Sequence, residues 1–279
     1  MDARRAEKSS QNKVLEPSAR QAAALASLLD LMQRLRDPNG GCPWDVEQTF
    51  ETIAPYTIEE AYEVADAIQR KAMGDLKAEL GDLLFQVVFH ARMAEEHKLF
   101  DFADVAEALV AKMRERHPHV FGDAEMRSSS EQTHAWEAQK AAERAAKGAG
   151  VLDDVPMALP ALMRAEKLTR RAARIGFDWP DPEAVLDKLN EEMGELREAR
   201  ASGDVAHIAE EFGDVLFVMA NLGRKLGVDP EEALRQANSK FVRRFEHMEA
   251  ALKRDGKEGK QQLDELETLW LAAKAAEKG

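Results

Sequence analysis

The sequence has little cysteine and few aromatic residues: one cysteine, Cys42, and 6% Phe, Trp and Tyr in 279 residues. A single cysteine excludes an intramolecular disulfide bond and favours a reducing compartment. The first twenty residues lack the apolar core of a secretory signal, and no apolar run approaches the length of a membrane span. We therefore expect a cytoplasmic protein. We also expect residues 1–20 to form a disordered tail.

Positive charge is scarce relative to negative charge. The chain has 52 acidic residues against 39 Lys plus Arg, which gives a net charge of −13. Such a charge repels the phosphates of nucleic acids and of anionic lipids. We therefore expect no nucleic acid and no membrane among the partners of this protein. A small phosphate ligand that is held through a metal ion is still compatible with this charge.

Helix-forming residues, by contrast, are abundant. Hydrophobic residues make up 44% and charged residues 33% of the chain, and common types such as Ala, Leu and Glu lose little side-chain freedom in a helix. No segment shows the alternation that is typical of a strand, so the expected fold class is all-α. The apolar periodicity predicts helices at 21–36, 56–70, 74–97, 102–116, 131–146, 158–174, 182–201, 204–226, 230–253 and 261–277.

An acidic motif of the pattern EExxE…ExxD occurs twice. The first copy consists of Glu59, Glu60, Glu63, Glu79 and Asp82, and the second of Glu191, Glu192, Glu195, Glu211 and Asp214. The offset is 132 residues both from Glu60 to Glu192 and from Glu79 to Glu211. Two motifs that keep one register indicate an internal repeat.

The repeat predicts a chain of two domains. We place the N-terminal domain at 21–147 and the C-terminal domain at 158–279. The segment 148–157 between them contains glycine and proline and is expected to be a linker.

The spacing within the motif explains why it would bind a metal ion. Residues three apart share one helix face, so Glu60 lies beside Glu63, and Glu79 beside Asp82. Each ExxD pair opens an apolar run, which places the acids at the edge of a core. Carboxylates gathered there repel one another unless a cation neutralises them. An all-oxygen cluster selects a hard ion, so we predict Mg²⁺, with Mn²⁺ as a substitute.

Two other interpretations of the motif remain open at this level. An EExxE string alone is typical of a solvated helix face. A di-iron carboxylate bundle also gathers glutamates, but it needs ExxH pairs on two helices. The only ExxH pair in the sequence, Glu131 with His134, lies outside both motifs.

Longer segments are similar to one known family. The chain closely resembles the MazG family of tandem-domain nucleoside triphosphate pyrophosphohydrolases in the segments APYTIEEAYEVADAI, DLKAELGDLLFQVVFHARMA, GGCPWD, HPHVFGD and ANSKFVRRF. The resemblance implies two tandem MazG-like all-α domains, built as four-helix-bundle-type units that homodimerisation completes. It also implies Mg²⁺-dependent hydrolysis of NTPs and dNTPs between the α and β phosphates to a nucleoside monophosphate and pyrophosphate. Such an activity would clear aberrant nucleotides.

The resemblance also implies roles for particular residues. The implied metal ligands are Glu192, Glu195, Glu211 and Asp214, with a second predicted site at Glu60, Glu63, Glu79 and Asp82. The implied catalytic residues are the four C-terminal ligands and Glu191, which would orient or deprotonate water. The implied nucleotide contacts are Lys188, Leu189, Asn190, Glu191, Glu192, His207, Lys240, Phe241, Val242, Arg243, Arg244 and Trp270. His207 stands where similar proteins carry a basic residue, so its contact would depend on pH.

These residues suit phosphoryl transfer, which needs charge neutralisation and an aligned water molecule. Lys240, Arg243 and Arg244 would clamp the polyphosphate of ATP and other nucleotides. Trp270 would stack on the base, a contact that tolerates any base. We therefore expect a broad range of substrates.

The two domains are expected to have unequal roles. The N-terminal repeat has Glu115 where the other repeat has Arg243, and a His-Pro pair at 117–118 breaks the helix where Phe245 continues it. We therefore expect the C-terminal domain to be the main catalytic domain. One alternative is a helical regulatory protein of the stress response. In such a protein the metal ion would only stabilise the structure, and there would be no significant catalytic activity. Another is a carboxylate metalloprotein that uses oxygen.

Overall fold

The computed structural model describes residues 18–124, 128–146, 148–257 and 259–277. Within these ranges every regular element is a helix and no strand occurs, so the predicted all-α class is confirmed. Most of the expected disordered tail, residues 1–17, lies outside the described residues. None of the helices in the described ranges is long and apolar enough to cross a membrane.

The described residues contain twelve helices, numbered here in chain order. They are α1 Ala19–Leu35, α2 Pro43–Glu47, α3 Phe50–Gln69, α4 Met73–Glu96, α5 Phe102–Arg116, α6 Pro118–Phe121, α7 Ser129–Ala146, α8 Ala161–Ala173, α9 Pro182–Ser202, α10 Val205–Lys225, α11 Pro230–Arg254 and α12 Leu263–Ala276. They form two compact units, the first up to Trp136 and the second from Glu137 onward. This division falls inside α7, and the predicted domain limits and linker stay predictions.

The first unit is built on the hairpin of α3 and α4, and α4 also packs against α1 and α5. Its core consists of Met32, Ile53, Val88, Phe89 and Met93. These apolar side chains come from three helices, so their burial holds the hairpin against α1. The hairpin carries the first acidic motif.

The second unit is built on the hairpin of α9 and α10, with α8 packed against α10 and α11 packed against α8 and α12. Val185, Val218 and Leu222 form its core. The hairpin turn is short because Gly203, whose φ of 75° is left-handed, caps the C-terminus of α9 and Asp204 immediately caps the N-terminus of α10. This turn places the two halves of the second acidic motif side by side.

All ten predicted helices overlap helices of the structure, and two of them begin three or more residues from the predicted start. The helix predicted at 56–70 begins six residues earlier, at Phe50, and continues through Pro55. Thr49 forms a capping box with Thr52, and this cap starts the helix one turn before the proline. The helix predicted at 158–174 begins at Ala161, because Pro160 occupies the N-cap.

The apolar runs after the ExxD pairs are buried on one face only. Val88 and Val218 are buried, but Leu84 and Leu216 are 42% and 43% exposed. The expectation of a buried run is therefore correct for one stripe of each helix. The opposite stripe of α4 and of α10 is exposed among the described residues of its own unit, since a helix can bury only one side against a single neighbouring layer.

Candidate active site

The first acidic motif is assembled by the α3–α4 hairpin. Glu60 lies nine residues before the end of α3, and Asp82 lies nine residues after the start of α4. Glu63 and Glu79 both lie six residues from the same turn. Antiparallel helices joined by a short turn bring residues at equal distances from that turn to one level. The hairpin therefore stacks the acids in two adjacent levels.

The second acidic motif repeats this geometry on the α9–α10 hairpin. Glu192 lies ten residues before the end of α9, and Asp214 lies nine residues after the start of α10. Glu195 and Glu211 lie seven and six residues from the turn. Both copies of the motif thus owe their clustering to helix length and to a short connection.

Ligand-sized spacing is observed in both clusters. One carboxylate oxygen from each of Glu192, Glu211 and Asp214 lies within 4.8 Å of the others. In the first unit, Glu60, Glu79 and Asp82 show the same arrangement. The structure therefore brings together three of the four predicted ligands in each motif.

The fourth acid of each motif lies next to these three. Partial burial of Glu79 is the largest cause that raises its pKa, and the negative charge of Glu63 is the next. The two side chains also share a hydrogen bond. In the second unit, partial burial is the largest cause that raises the pKa of Glu195, and the negative charge of Glu192 is the next. All four predicted ligands of each motif therefore belong to one electrostatic cluster.

The donor set fits a hard divalent cation. Glu192 is only 6% exposed, and Glu60 Oε2 is buried without a hydrogen-bond partner in the described part of the chain. Burial and then its acidic neighbours raise the pKa of Glu60. Oxygen atoms that are gathered, partly buried and mutually repulsive suit Mg²⁺ or Mn²⁺, which take oxygen ligands.

The two clusters differ in the cations around them. Lys188 Nζ lies 2.7 Å from Glu191 Oε1 and 2.8 Å from Glu192 Oε1, and these hydrogen bonds raise the pKa of Lys188. His207 Nε2 lies 3.2 Å from Glu211 Oε1. The sequence predicted Lys188 and His207 as nucleotide contacts, and the structure places both against the acids. The signal was present in the sequence, because each lies four residues before its partner glutamate.

The predicted basic and aromatic contacts form a second group of side chains, on α11 and α12. Arg244 Nη2 lies 2.7 Å from Glu277 Oε2, and Arg243 Nη2 lies 3.6 Å from Glu277 Oε1. The Arg244 guanidinium lies 5.5 Å from the ring centroid of Trp270, and Phe241 lies 5.3 Å from the same ring. We call these five residues the basic cluster. Glu277 is not among the residues predicted from the sequence, and its hydrogen bond with Arg244 lowers its pKa.

The remaining predicted contacts occupy different environments. Leu189 packs against the core of the second unit, whereas Asn190 is exposed. Val242 and Lys240 are exposed on α11. Within the described ranges, no hydrogen bond or ion pair links the basic cluster to the acids of α9 and α10.

The basic cluster and the acids lie at equal distances along their own helices from the connection between α10 and α11. Asp214 lies eleven residues before the end of α10, and Phe241 lies eleven residues after the start of α11. Because four residues connect these helices, both positions lie about 16 Å from the turn, at 1.5 Å per residue.

Comparison with known proteins places these elements in one family. The model of the MazG nucleotide pyrophosphohydrolase domain matches residues 48–121 and 181–249. The two matches contain both acidic motifs, and the second also contains Arg243 and Arg244. The family domain therefore occurs twice in the chain, which confirms the predicted tandem arrangement.

Relatives of similar length match almost the whole chain. The nucleoside triphosphate pyrophosphohydrolase of Escherichia coli K12 is 52% identical over 254 residues, which cover 90% of this chain and 97% of the relative. The nucleoside triphosphate pyrophosphohydrolase/pyrophosphatase MazG of Thermotoga maritima is 43% identical over 251 residues, 90% of this chain and 95% of the relative. A third relative, the nucleoside triphosphate pyrophosphohydrolase of Mycolicibacterium smegmatis, matches only in part: it is 40% identical over 167 residues, which cover 59% of this chain and 50% of the relative. The two helical hairpins, their acidic motifs and these matches show that the chain belongs to the MazG family.

Proposed function

We propose that this protein hydrolyses nucleoside triphosphates, both NTPs and dNTPs, to a nucleoside monophosphate and pyrophosphate with Mg²⁺ as its cofactor. The observation that carries the proposal is the cluster of Glu192, Glu211 and Asp214, whose ligand oxygens lie within 4.8 Å of one another. The names of the full-length relatives support the same reaction. Mn²⁺ would substitute for Mg²⁺ at an all-oxygen site.

The carboxylates of the proposed site have different roles. Glu192, Glu195, Glu211 and Asp214 would hold the metal, which when bound supplies polarisation of a phosphate oxygen and a more acidic water molecule. Glu191 is exposed beside the buried Glu192, and it would orient the water and accept its proton. The water oxygen then bonds to the α-phosphorus, the bond from that phosphorus to the bridging oxygen breaks, and pyrophosphate leaves.

The basic cluster would bind the rest of the nucleotide. Arg243 is 61% exposed in its side chain, so it is free to leave Glu277 for a phosphate oxygen. Arg244 offers a bidentate guanidinium. Trp270 would provide a stacking surface that tolerates any base. We therefore propose a broad base range and a role in clearing aberrant nucleotides. Since nucleoside triphosphates are cytoplasmic metabolites, we place this activity in the cytoplasm.

We propose that the second unit is the main catalytic one. The first unit keeps its acids but has Tyr56 in the register position of Lys188, and Asp75 in that of His207. The first unit would then be structural, regulatory or weakly active.

We also propose that the protein is a homodimer. The exposed apolar stripes of α4 and α10 include Leu84, Val87, Leu216 and Phe217, each at least 39% exposed. Stripes of this kind, on long helices and next to polar sites, are typical of helical interfaces. A second copy would cover them and complete the bundles.

The reaction is tested by incubating the purified protein with Mg²⁺ and a mixture of dNTPs and following the products by ³¹P NMR. Equal amounts of monophosphate and pyrophosphate are expected. Orthophosphate in their place would overturn the cleavage position. No product from any NTP would favour a metal-braced regulatory protein, and bound iron with optical absorption would favour a carboxylate metalloprotein that uses oxygen.

A further inference from the structure

The acidic cluster of the second unit contains a cation of its own. The Lys188 ammonium contacts Glu192 Oε1 at 2.8 Å, and the Glu192 side chain is 7% exposed whereas that of Lys188 is 29% exposed. Glu192 belongs to the trio of acids whose oxygens are close enough to share a metal ion. A buried carboxylate strongly favours a positive partner. Lys188 therefore neutralises part of the negative charge of the cluster that a divalent cation would otherwise neutralise.

The repeat provides an internal comparison. The position of Lys188 in the first unit is occupied by Tyr56, which lies in edge-to-face contact with Trp44 at 6.0 Å between ring centroids. Glu60, in the register of Glu192, has a buried oxygen without a hydrogen-bond partner in the described part of the chain. The two clusters therefore have matching acids, but the uncharged Tyr56 stands in the first unit where Lys188 contacts Glu192 in the second.

Competition follows from this geometry. An ammonium group and a metal ion at the same carboxylate oxygen repel each other, so binding of one weakens binding of the other. The lysine side chain is long and flexible, and it leaves Glu192 at little cost once another anion is within reach. The phosphates of a nucleotide are such an anion.

We propose that Lys188 is a tethered counter-ion that keeps the metal affinity of the second cluster low. When a nucleoside triphosphate binds, Lys188 leaves Glu192 for a phosphate oxygen, and the metal affinity of the cluster rises. This inference rests on the proposed function of the same site. Nucleotide and metal then bind to the second unit cooperatively, each raising the affinity of the other. The first unit lacks this lysine, so it binds the metal ion without needing a nucleotide.

Manganese titration of the full-length protein tests the inference. The substitutions Glu60→Gln and Asp82→Asn remove the first cluster, so that bound Mn²⁺ reports on the second, and electron paramagnetic resonance measures the free ion. Without nucleotide, Lys188→Met is expected to lower the Kd for Mn²⁺ about fivefold to tenfold. Lys188→Arg keeps the charge and is expected to leave the Kd within about twofold. Circular dichroism checks that each variant is folded.

A non-hydrolysable α,β-methylene analogue of dATP completes the test. It is expected to tighten Mn²⁺ binding far more in the protein with Lys188 than in the Lys188→Met variant. Unchanged or weaker Mn²⁺ binding by nucleotide-free Lys188→Met would overturn the counter-ion role and leave the proposed hydrolase intact. Absence of Mn²⁺ from the second cluster in every variant, with and without the analogue, would overturn the proposed metal site as well.

The reciprocal substitution uses the first unit. In a protein whose second cluster is removed by Glu192→Gln and Asp214→Asn, Tyr56→Lys is expected to weaken Mn²⁺ binding about fivefold. Equal binding with and without this lysine would contradict the proposed competition.

Discussion

Glu60 on α3 and Asp82 on α4 present carboxylate oxygens within 4.8 Å of each other, although they lie 22 residues apart in the sequence. Like charges at this distance destabilise the folded chain when no cation is present. Glu60 Oε2 has no hydrogen-bond partner in the described ranges to offset this repulsion. The folded state therefore carries an electrostatic cost that a metal ion would remove.

The substitution Glu60→Gln is expected to stabilise the metal-free protein, because it removes one of the repelling charges and adds a hydrogen-bond donor. In EDTA, its melting temperature should rise by about 2 °C, measured by differential scanning calorimetry. The stabilisation of the first unit by Mg²⁺ should shrink in the same variant. The exposed neighbour Glu59 provides the control, since Glu59→Gln should change the melting temperature less. A lower melting temperature for Glu60→Gln in EDTA would contradict the repulsion.

A second prediction concerns Asp178, which anchors the loop between α8 and α9 to the end of α10. Asp178 pairs with Arg224 and lies 2.7 Å from Lys225 Nζ. Partial burial opposes ionisation of Asp178, but hydrogen bonds from Arg224 and Lys225 outweigh it and hold the pKa below its ordinary value. Asp178→Asn should lower the free energy of unfolding by about 2 kcal/mol at pH 7, measured by urea unfolding.

The pH dependence of this effect follows from the lowered pKa. The contribution of Asp178 is fully present above the ordinary pKa of an aspartate, about 3.9. It is lost as the pH falls through the lower pKa of the folded state. The difference between wild type and Asp178→Asn should therefore be constant at neutral pH and shrink below about pH 4. The exposed Asp187 serves as the control, since Asp187→Asn should have little effect at any pH.

A third prediction concerns the apolar stripe of α10. If a second copy of the chain covers it, light scattering after gel filtration should give twice the mass of one chain. Leu216→Glu places a charge in the proposed interface and should shift the protein toward the monomer. Val205→Glu alters an exposed residue at the first position of the same helix and should leave the mass unchanged. A monomeric wild-type protein would refute the proposed dimer.

A fourth prediction concerns Arg244, which lies between Glu277 and Trp270. Arg244→Met should raise KM for dATP about tenfold and change kcat less than about threefold, because a phosphate clamp acts on bound substrate and transition state alike. Arg254→Met, in the last turn of the same helix, provides the control. Steady-state kinetics that showed a fall in kcat at constant KM would place Arg244 in the chemical step.

The sequence predicted the helices and acidic clusters well, because both depend on local spacing. The register of Glu60 and Glu192 with their partners requires only two helices and a short turn. The start of α3 differs from the prediction, because Thr49 caps the helix before Pro55 and the helix continues through the proline.

Other features depend on tertiary packing and could not be predicted from spacing alone. The contact of Arg244 with Glu277 joins residues 33 positions apart, on helices whose packing no local pattern specifies. The exposure of Leu216 depends on which stripe of α10 faces α9 and α8. The four-residue spacing of Lys188 and Glu192 indicated that the two side chains could pair. Only the structure shows that the glutamate of this pair is buried.

Pyrophosphate release by two matched variants tests the central claim most directly. Glu195→Ala and Glu63→Ala remove corresponding carboxylates from the second and the first cluster, and both positions are exposed. With dNTPs and Mg²⁺, Glu195→Ala should lose pyrophosphate release by about 100-fold or more, whereas Glu63→Ala should retain most of it. A greater loss from Glu63→Ala would contradict the assignment of the active site to Glu192, Glu195, Glu211 and Asp214.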